Sequence, residues 1–170
     1  QYIREARIDK KTSTIHSDFI KGCFVLFLAE VLSMILKEDD THSDLYRFIE
    51  TTIIWFDSND IVSSFHLKFL VEITKYLGFY PDLDPRADYF DLLEGQSQDF
   101  DTGLYSISGE NLSLLKQVLG IKFDVTNTIQ MSVSQKRSFL DMILLYFRLH
   151  LDGFKEPKSL TVLNEVFTDP

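Results

Sequence analysis

Near its C-terminal end the chain reads Leu144-Leu145-Tyr146-Phe147-Arg148-Leu149-His150-Leu151-Asp152-Gly153-Phe154. After a short polar link it continues Pro157-Lys158-Ser159-Leu160-Thr161-Val162-Leu163-Asn164-Glu165-Val166-Phe167. The first part carries a helical apolar pattern that stops at a glycine, the residue that most easily takes the left-handed turn past a helix end. Pro157 then opens a second apolar stripe, since its fixed φ suits a first helical turn. The stretch predicts a helix–turn–helix that closes a bundle.

The same periodicity extends upstream. Ser132 or Ser134 caps a fifth helix with Phe139, Leu140, Ile143, Leu144 and Phe147 facing inward. A short fourth helix carries Leu112, Leu115, Val118 and Leu119, ends at Gly120, and is followed by a linker over 121–131. The third has Val62, Phe65, Phe69, Ile73, Tyr76 and Leu77 inward, with Gly78 as its left-handed cap and Pro81 beyond. Asp57-Ser58-Asn59-Asp60 reads as the turn before it. The second helix follows a capping box, Thr41-His42-Ser43-Asp44, with Leu45, Phe48, Ile49, Thr52, Ile53 and Phe56 as its stripe. The first runs from an Asp18 cap to Lys37, roughly 30 Å of central bundle helix. Tyr2-Ile3-Arg4-Glu5-Ala6-Arg7-Ile8 looks like a strand entered partway, as though a domain preceded it. The expected fold class is all-α: a bundle of about six helices with a long irregular insertion and a short N-terminal strand remnant.

The insertion lies between Gly78 and Gly109, mixing carboxylates with Phe79, Tyr80, Tyr89, Phe90, Phe100 and Tyr105. A structureless loop of that length is unusual in a compact domain. Short strands or turns are expected around Tyr89-Phe90-Asp91 and Gly103-Leu104-Tyr105. It reads either as a recognition loop or as a packed excursion with a solvated acidic rim.

Composition fits one domain. The chain has 170 residues, 45% of them hydrophobic, with 15 Phe and 7 Tyr but only 7 Gly and 4 Pro. Few breakers among many large apolar residues favour long helices. Cys23, the single cysteine, excludes an internal disulfide and a four-cysteine zinc site. Its apolar setting reads as a small buried hydrophobe, in keeping with a reducing cytosol. The apolar run Cys23 to Ala29 is too short to span a bilayer.

No catalytic constellation emerges. His16, His42, His66 and His150 lack partners at metal-ligand spacing, and phosphate-loop and nucleophile-elbow motifs are absent. Asp82-x-Asp84 and Asp99-x-Asp101 lack the rest of a calcium loop and read as solvated acid. Net charge is −9, which opposes a general grip on phosphate backbones. Cations concentrate toward the C-terminal end. Arg137 and Arg148 lie eleven residues apart, close to three helical turns, so both point one way. With Lys136, Lys155 and Lys158 they form a candidate basic ridge for a partner or for DNA, the alternative being ordinary solubilising charge.

Several strings in this order resemble the RecO family of bacterial recombinational repair proteins. They are Gln1-Tyr2-Ile3-Arg4-Glu5-Ala6-Arg7, Leu26-Phe27-Leu28-Ala29-Glu30-Val31-Leu32, Phe65-His66-Leu67-Lys68-Phe69-Leu70 and Thr74-Lys75-Tyr76-Leu77-Gly78-Phe79-Tyr80-Pro81, the last two in the manner of Bacteroidetes-type members. Tyr89-Phe90-Asp91 with Gly95, and Lys158-Ser159-Leu160, complete the pattern. The resemblance implies that residues 1–13 end an N-terminal OB-fold and linker, and that 14–170 form the C-terminal helical domain. It implies a non-catalytic mediator without cofactor or small-molecule substrate, which binds DNA, anneals strands and helps load RecA onto strands covered by single-stranded-DNA-binding protein (SSB). Its implied partners are RecR, the acidic SSB C-terminal tail and RecF, with DNA bound through the full-length protein and no membrane. Its implied location is the bacterial cytoplasm, at the nucleoid. Many members carry a four-cysteine zinc site where this chain has 79–109, a segment without Cys or His, so no metal is expected here. Because the chain is acidic, protein contacts are its expected work, with the SSB tail laid on Arg137, Arg148 or nearby lysines. The rival reading is a generic acidic helical protein–protein interaction domain unrelated to DNA.

Overall fold

A computed structural model of the chain describes residues 11–36, 43–60, 64–122 and 129–166. Among them are six helices: α1 (Phe19–Ile35), α2 (Ser43–Ser58), α3 (Phe65–Leu77), α4 (Gly109–Gly120), α5 (Val133–His150) and α6 (Leu160–Val166). Three short strands, β1 (Tyr89–Asp91), β2 (Gln96–Gln98) and β3 (Ser106–Ile107), lie between α3 and α4. The protein is mainly α, as the periodicity implies. The strand expected over Tyr2–Ile8, and the Thr41-His42 part of the capping box, lie outside the described residues.

The hub of the bundle is α3, not α1. Every side chain from Phe65 to Val71 is buried, because α2, α4 and α5 all pack on this helix. The enclosed first turns of this helix have to satisfy their polar groups internally. Lys68 does so by donating to Glu72 at 2.5 Å and to the Val118 carbonyl at 2.8 Å, near the C-terminal end of α4. There a cation suits the helix dipole. His66 stacks on Phe24 at 4.9 Å and meets Phe27 edge-on at 6.2 Å. Burial, and then the charge of Lys136, push its pKa down to about 3, so the ring is a neutral core group at physiological pH. α1 is capped by the Asp18 carboxylate, which accepts the N–H groups of Ile20 and Lys21. Its Phe24, Phe27, Leu28 and Val31 are buried, while Phe19 and Leu26 stay exposed.

Three boundaries differ from the sequence expectation. α1 ends at Ile35 rather than Lys37. α2 runs through Asp57 and Ser58, so the turn expected there is its last turn. Asp57 instead receives the N–H groups of Ser13, Thr14 and Ile15 at 2.8–2.9 Å. Those bonds, that of Ser13 foremost, hold its carboxyl far below the ordinary range. α6 starts at Leu160, and Pro157 sits in the preceding turn, whose carbonyl accepts the Leu160 N–H. The Glu30 carboxylate anchors that turn to α1 through the Lys158 and Ser159 N–H groups at 2.8 Å each.

The insertion holds short strands as expected, β1 falling on Tyr89-Phe90-Asp91. β1 is the centre of an antiparallel sheet of order β2-β1-β3, with Phe90 opposite both Ser97 and Ile107. Of the strand or turn expected around Gly103-Leu104-Tyr105, the chain forms a turn there, with Gly103 at φ +107°, and β3 follows at Ser106–Ile107. The Asp91 carboxylate organises the sheet's end, accepting the Leu93 and Glu94 N–H groups and the Thr102 hydroxyl. α5 grips the base of the insert. Tyr146 donates to the Phe79 carbonyl at 2.7 Å, and His150 stacks on the Phe79 ring with Nε2 2.9 Å from the Leu92 carbonyl. Gly95 completes this joint: its φ is +68°, and a Cβ there would lie 2.8 Å from the Tyr146 hydroxyl.

Candidate partner-binding site

The helical stripe of α2 has two parts. Leu45, Thr52 and Phe56 enter the core. Beside them Asp44, Arg47, Phe48, Thr51 and Trp55 recur at three- and four-residue steps, so they share a neighbouring face. The last turns of α3 bring Lys75 and Tyr76 against that face. Together these residues line an open groove of about 650 Å³, within the range of ligand-binding clefts.

Its floor is aromatic and rigid. Phe48 stacks on Tyr76 at 4.9 Å and on Phe69 at 5.4 Å, and Trp55 lies parallel to Phe65 at 6.2 Å. The supporting rings Phe65 and Phe69 are fully buried, so the floor is fixed from below. The rim carries the cations. Arg47 sits 3.8 Å from Asp44, with both side chains largely exposed, and so remains available to a stronger partner. Lys75 has no ion-pair partner among the described residues. Burial, then the charges of Glu72 and Asp44, raise the Tyr76 pKa. Its phenol therefore stays protonated and able to donate. An apolar cleft with cations at its edge suits an extended acidic segment ending in a large apolar side chain.

The ridge residues read from the sequence fall elsewhere. Arg137 and Arg148 do face one side of α5, since both act on the Asp141 carboxyl between them. Arg137 is spent internally, donating to the Asn164 carbonyl of α6 at 2.8 Å. Arg148 lines a small cavity with Asp141, Leu144, Phe154 and Glu156. Asp141 and Glu156 thus interrupt the run of cations. Burial, followed by Glu156, raises the Asp141 pKa against the pull of both arginines. Lys136 is half-buried, and its pKa is lowered by that burial. Lys155 and Lys158 are exposed beyond the turn. The face is of mixed charge, as is the groove rim with its Asp44, but it lacks the groove's aromatic floor. Sequence reasoning overlooked Arg47, Trp55 and Lys75. The available signal was the sole tryptophan, seven residues after Phe48, beside cations that continue no run of charge.

Among the described residues no group of three or more His, Cys, Asp or Glu could hold a metal ion, and no helix is long and apolar enough to cross a membrane. His16 is exposed, and His42 lies outside the described residues.

The fold is that of a mainly α domain with a small three-stranded sheet set between its third and fourth helices. Residues 16–160 match the family model described as "Recombination protein O C terminal". The chain is 40% identical to DNA repair protein RecO of Christiangramia forsetii over 168 residues, covering 98% of this chain and 70% of that protein. It is 37% identical to that of Flavobacterium psychrophilum, with 97% and 69% covered, and 32% identical to that of Bacteroides fragilis, with 97% and 70% covered. The chain belongs to the RecO family. No solved structure matches it significantly.

Proposed function

We propose that this chain acts in DNA repair and recombination as a non-catalytic mediator, and that its helical region works by holding other proteins. Residues 14–170 form the helical domain on this reading, and 1–13 lead from an N-terminal OB-fold. The full-length protein binds DNA in the bacterial cytoplasm, at the nucleoid, anneals strands and assists RecA loading in the RecFOR pathway. RecR and RecF are its further partners. The resemblance to RecO and the family membership support the pathway.

The observation that carries the protein-contact role is the α2–α3 groove. On a chain of net charge −9, it combines an aromatic floor of Phe48, Trp55 and Tyr76 with cations at Arg47 and Lys75. The acidic C-terminal tail of SSB has the matching chemistry, an apolar terminus behind carboxylates. Apolar burial would supply the affinity, and the rim charges would supply register and encounter rate. The α5 face, with Lys136, Arg137, Arg148, Lys155 and Lys158, is the competing place for the same tail.

Calorimetric titration of an SSB-tail peptide into the chain tests this. Binding that weakens with salt and is lost in Arg47→Glu/Lys75→Glu supports the groove. Binding lost only in Arg137→Glu/Arg148→Glu moves the site to α5, and no binding removes the tail as a partner. Salt-dependent affinity of the full-length protein for single-stranded DNA separates the repair role from a helical domain unrelated to DNA.

A further inference from the structure

The turn after β1 and the loop between β2 and β3 carry exposed apolar side chains. Phe100, Leu104 and Leu93 are 67%, 87% and 47% exposed, yet the backbone that bears them is pinned. The Asp101 carboxylate accepts the Gly103 N–H at 2.8 Å, Thr102 donates to Asp91, and the Ser106 N–H reaches the Gly103 carbonyl at 3.0 Å. The Leu92 N–H bonds the Tyr105 carbonyl at 2.9 Å, tying the turn of Leu93 to the end of the loop. Large apolar side chains held in water on a fixed scaffold mark a contact surface.

Charge determines what can cover it. Asp99 and Asp101 flank Phe100, Glu94 follows Leu93, and no Lys or Arg occurs from 87 to 115. Nucleic acid and anionic membranes are repelled. The surface that fits has an apolar slot with cations at its rim, and this chain carries one in the α2–α3 groove. Among the described residues of one chain the loop side chains stand exposed and the groove stands open, so their meeting joins two chains.

We propose that the Asp99-Phe100-Asp101 tip and Leu104 of one copy dock into the α2–α3 groove of a second copy, Phe100 on the aromatic floor and the carboxylates beside Arg47 and Lys75. The proposal rests on the groove's taking acidic, apolar chains. The contact is head to tail, so each added copy leaves one tip and one groove open. A loop in a groove buries less than a standard interface, so the association is weak. The tip is then a weak plug, which a tail binding more tightly displaces.

Sedimentation velocity of the chain over a concentration series tests this. The weight-average coefficient of the wild type should rise with concentration, and less so in high salt. Phe100→Ser/Leu104→Ser and Arg47→Glu/Lys75→Glu should each stay monomeric, with circular dichroism unchanged. Their equal mixture should form dimers and nothing larger, because one supplies an intact groove and the other an intact tip. Should the serine variant fail to fold, Asp99→Lys tests the tip by weakening association about tenfold. A wild type that is monomeric throughout, variants that associate like it, or a mixture that stays monomeric overturns the proposal. Tail peptide binding in the groove without self-association defeats this proposal alone. Self-association abolished by tip variants, with no peptide binding, defeats the tail reading alone.

Discussion

The groove between α2 and α3 and the outer face of α5 both offer cations on an acidic chain, and they use them differently. On α5, Arg137 is committed to the Asn164 carbonyl, and Asp141 and Glu156 stand among the remaining cations. In the groove, Lys75 has no ion-pair partner among the described residues and Arg47 has only a long, exposed contact with Asp44. Phe48, Trp55 and Tyr76 line the same groove. The α5 face holds more cations in sequence, and the groove holds fewer with more left to give. Affinity for a charged partner follows the charge that remains after internal pairing, together with the apolar area beside it.

Charge reversal separates the two regions most widely. Arg47→Glu/Lys75→Glu should lower tail-peptide affinity about thirtyfold, against less than about threefold for Arg137→Glu/Arg148→Glu. Calorimetry on both, at one salt concentration, reads the ratio, and the reverse ranking breaks the comparison. Next comes the floor. Trp55→Ala should weaken the peptide about tenfold, as loss of a central aromatic anchor does. No change in affinity would mean that the ring only packs on Phe65.

Arg137 sharpens the contrast from the other side. Arg137→Met should leave peptide affinity alone and reduce unfolding free energy by about 1 kcal/mol, because the Asn164 carbonyl loses its donor. Urea unfolding measures this, and unaltered stability would return Arg137 to the pool of available charge. The smallest effect concerns Asp141, whose folded pKa lies above its ordinary value of 3.8. The folded chain therefore binds this proton more readily than the unfolded chain does. Asp141's contribution to stability is most favourable at low pH and falls as pH rises through the raised value. Asp141→Asn should remove that part of the decline and make the α5 face more basic at neutral pH. Unfolding curves at pH 4 and 7 that shift equally in wild type and variant would contradict it.

Much of the bundle was legible because apolar periodicity and caps are local. Asp18, Ser132 and Gly78 mark helix ends as expected, Ser132 through a full capping box with Gln135. The hub was not legible. Phe24 and Phe27 make α1 look central, whereas it is α3 that three other helices enclose, and only tertiary packing decides between two apolar helices. Nor was the role of Asp57, a turn residue by composition that clamps a segment more than forty positions upstream. The insert's order was half visible. Its aromatics announced packing, but the Asp91 hub and the Tyr146–Gly95 joint depend on contacts far apart in the chain. The candidate site was hardest, because linear charge counts favour the run of bases on α5 and cannot show that Asp141 and Glu156 fold back among them.

Trp55 is the sole tryptophan, so its indole N–H gives one isolated resonance on the groove floor. Following that resonance during titration with the SSB-tail peptide tests the account most directly. A saturable shift of Trp55, abolished in Arg47→Glu/Lys75→Glu and preserved in Arg137→Glu/Arg148→Glu, is the expected result. A resonance that stays still while amides around Arg148 move would place the partner on α5 and contradict the account.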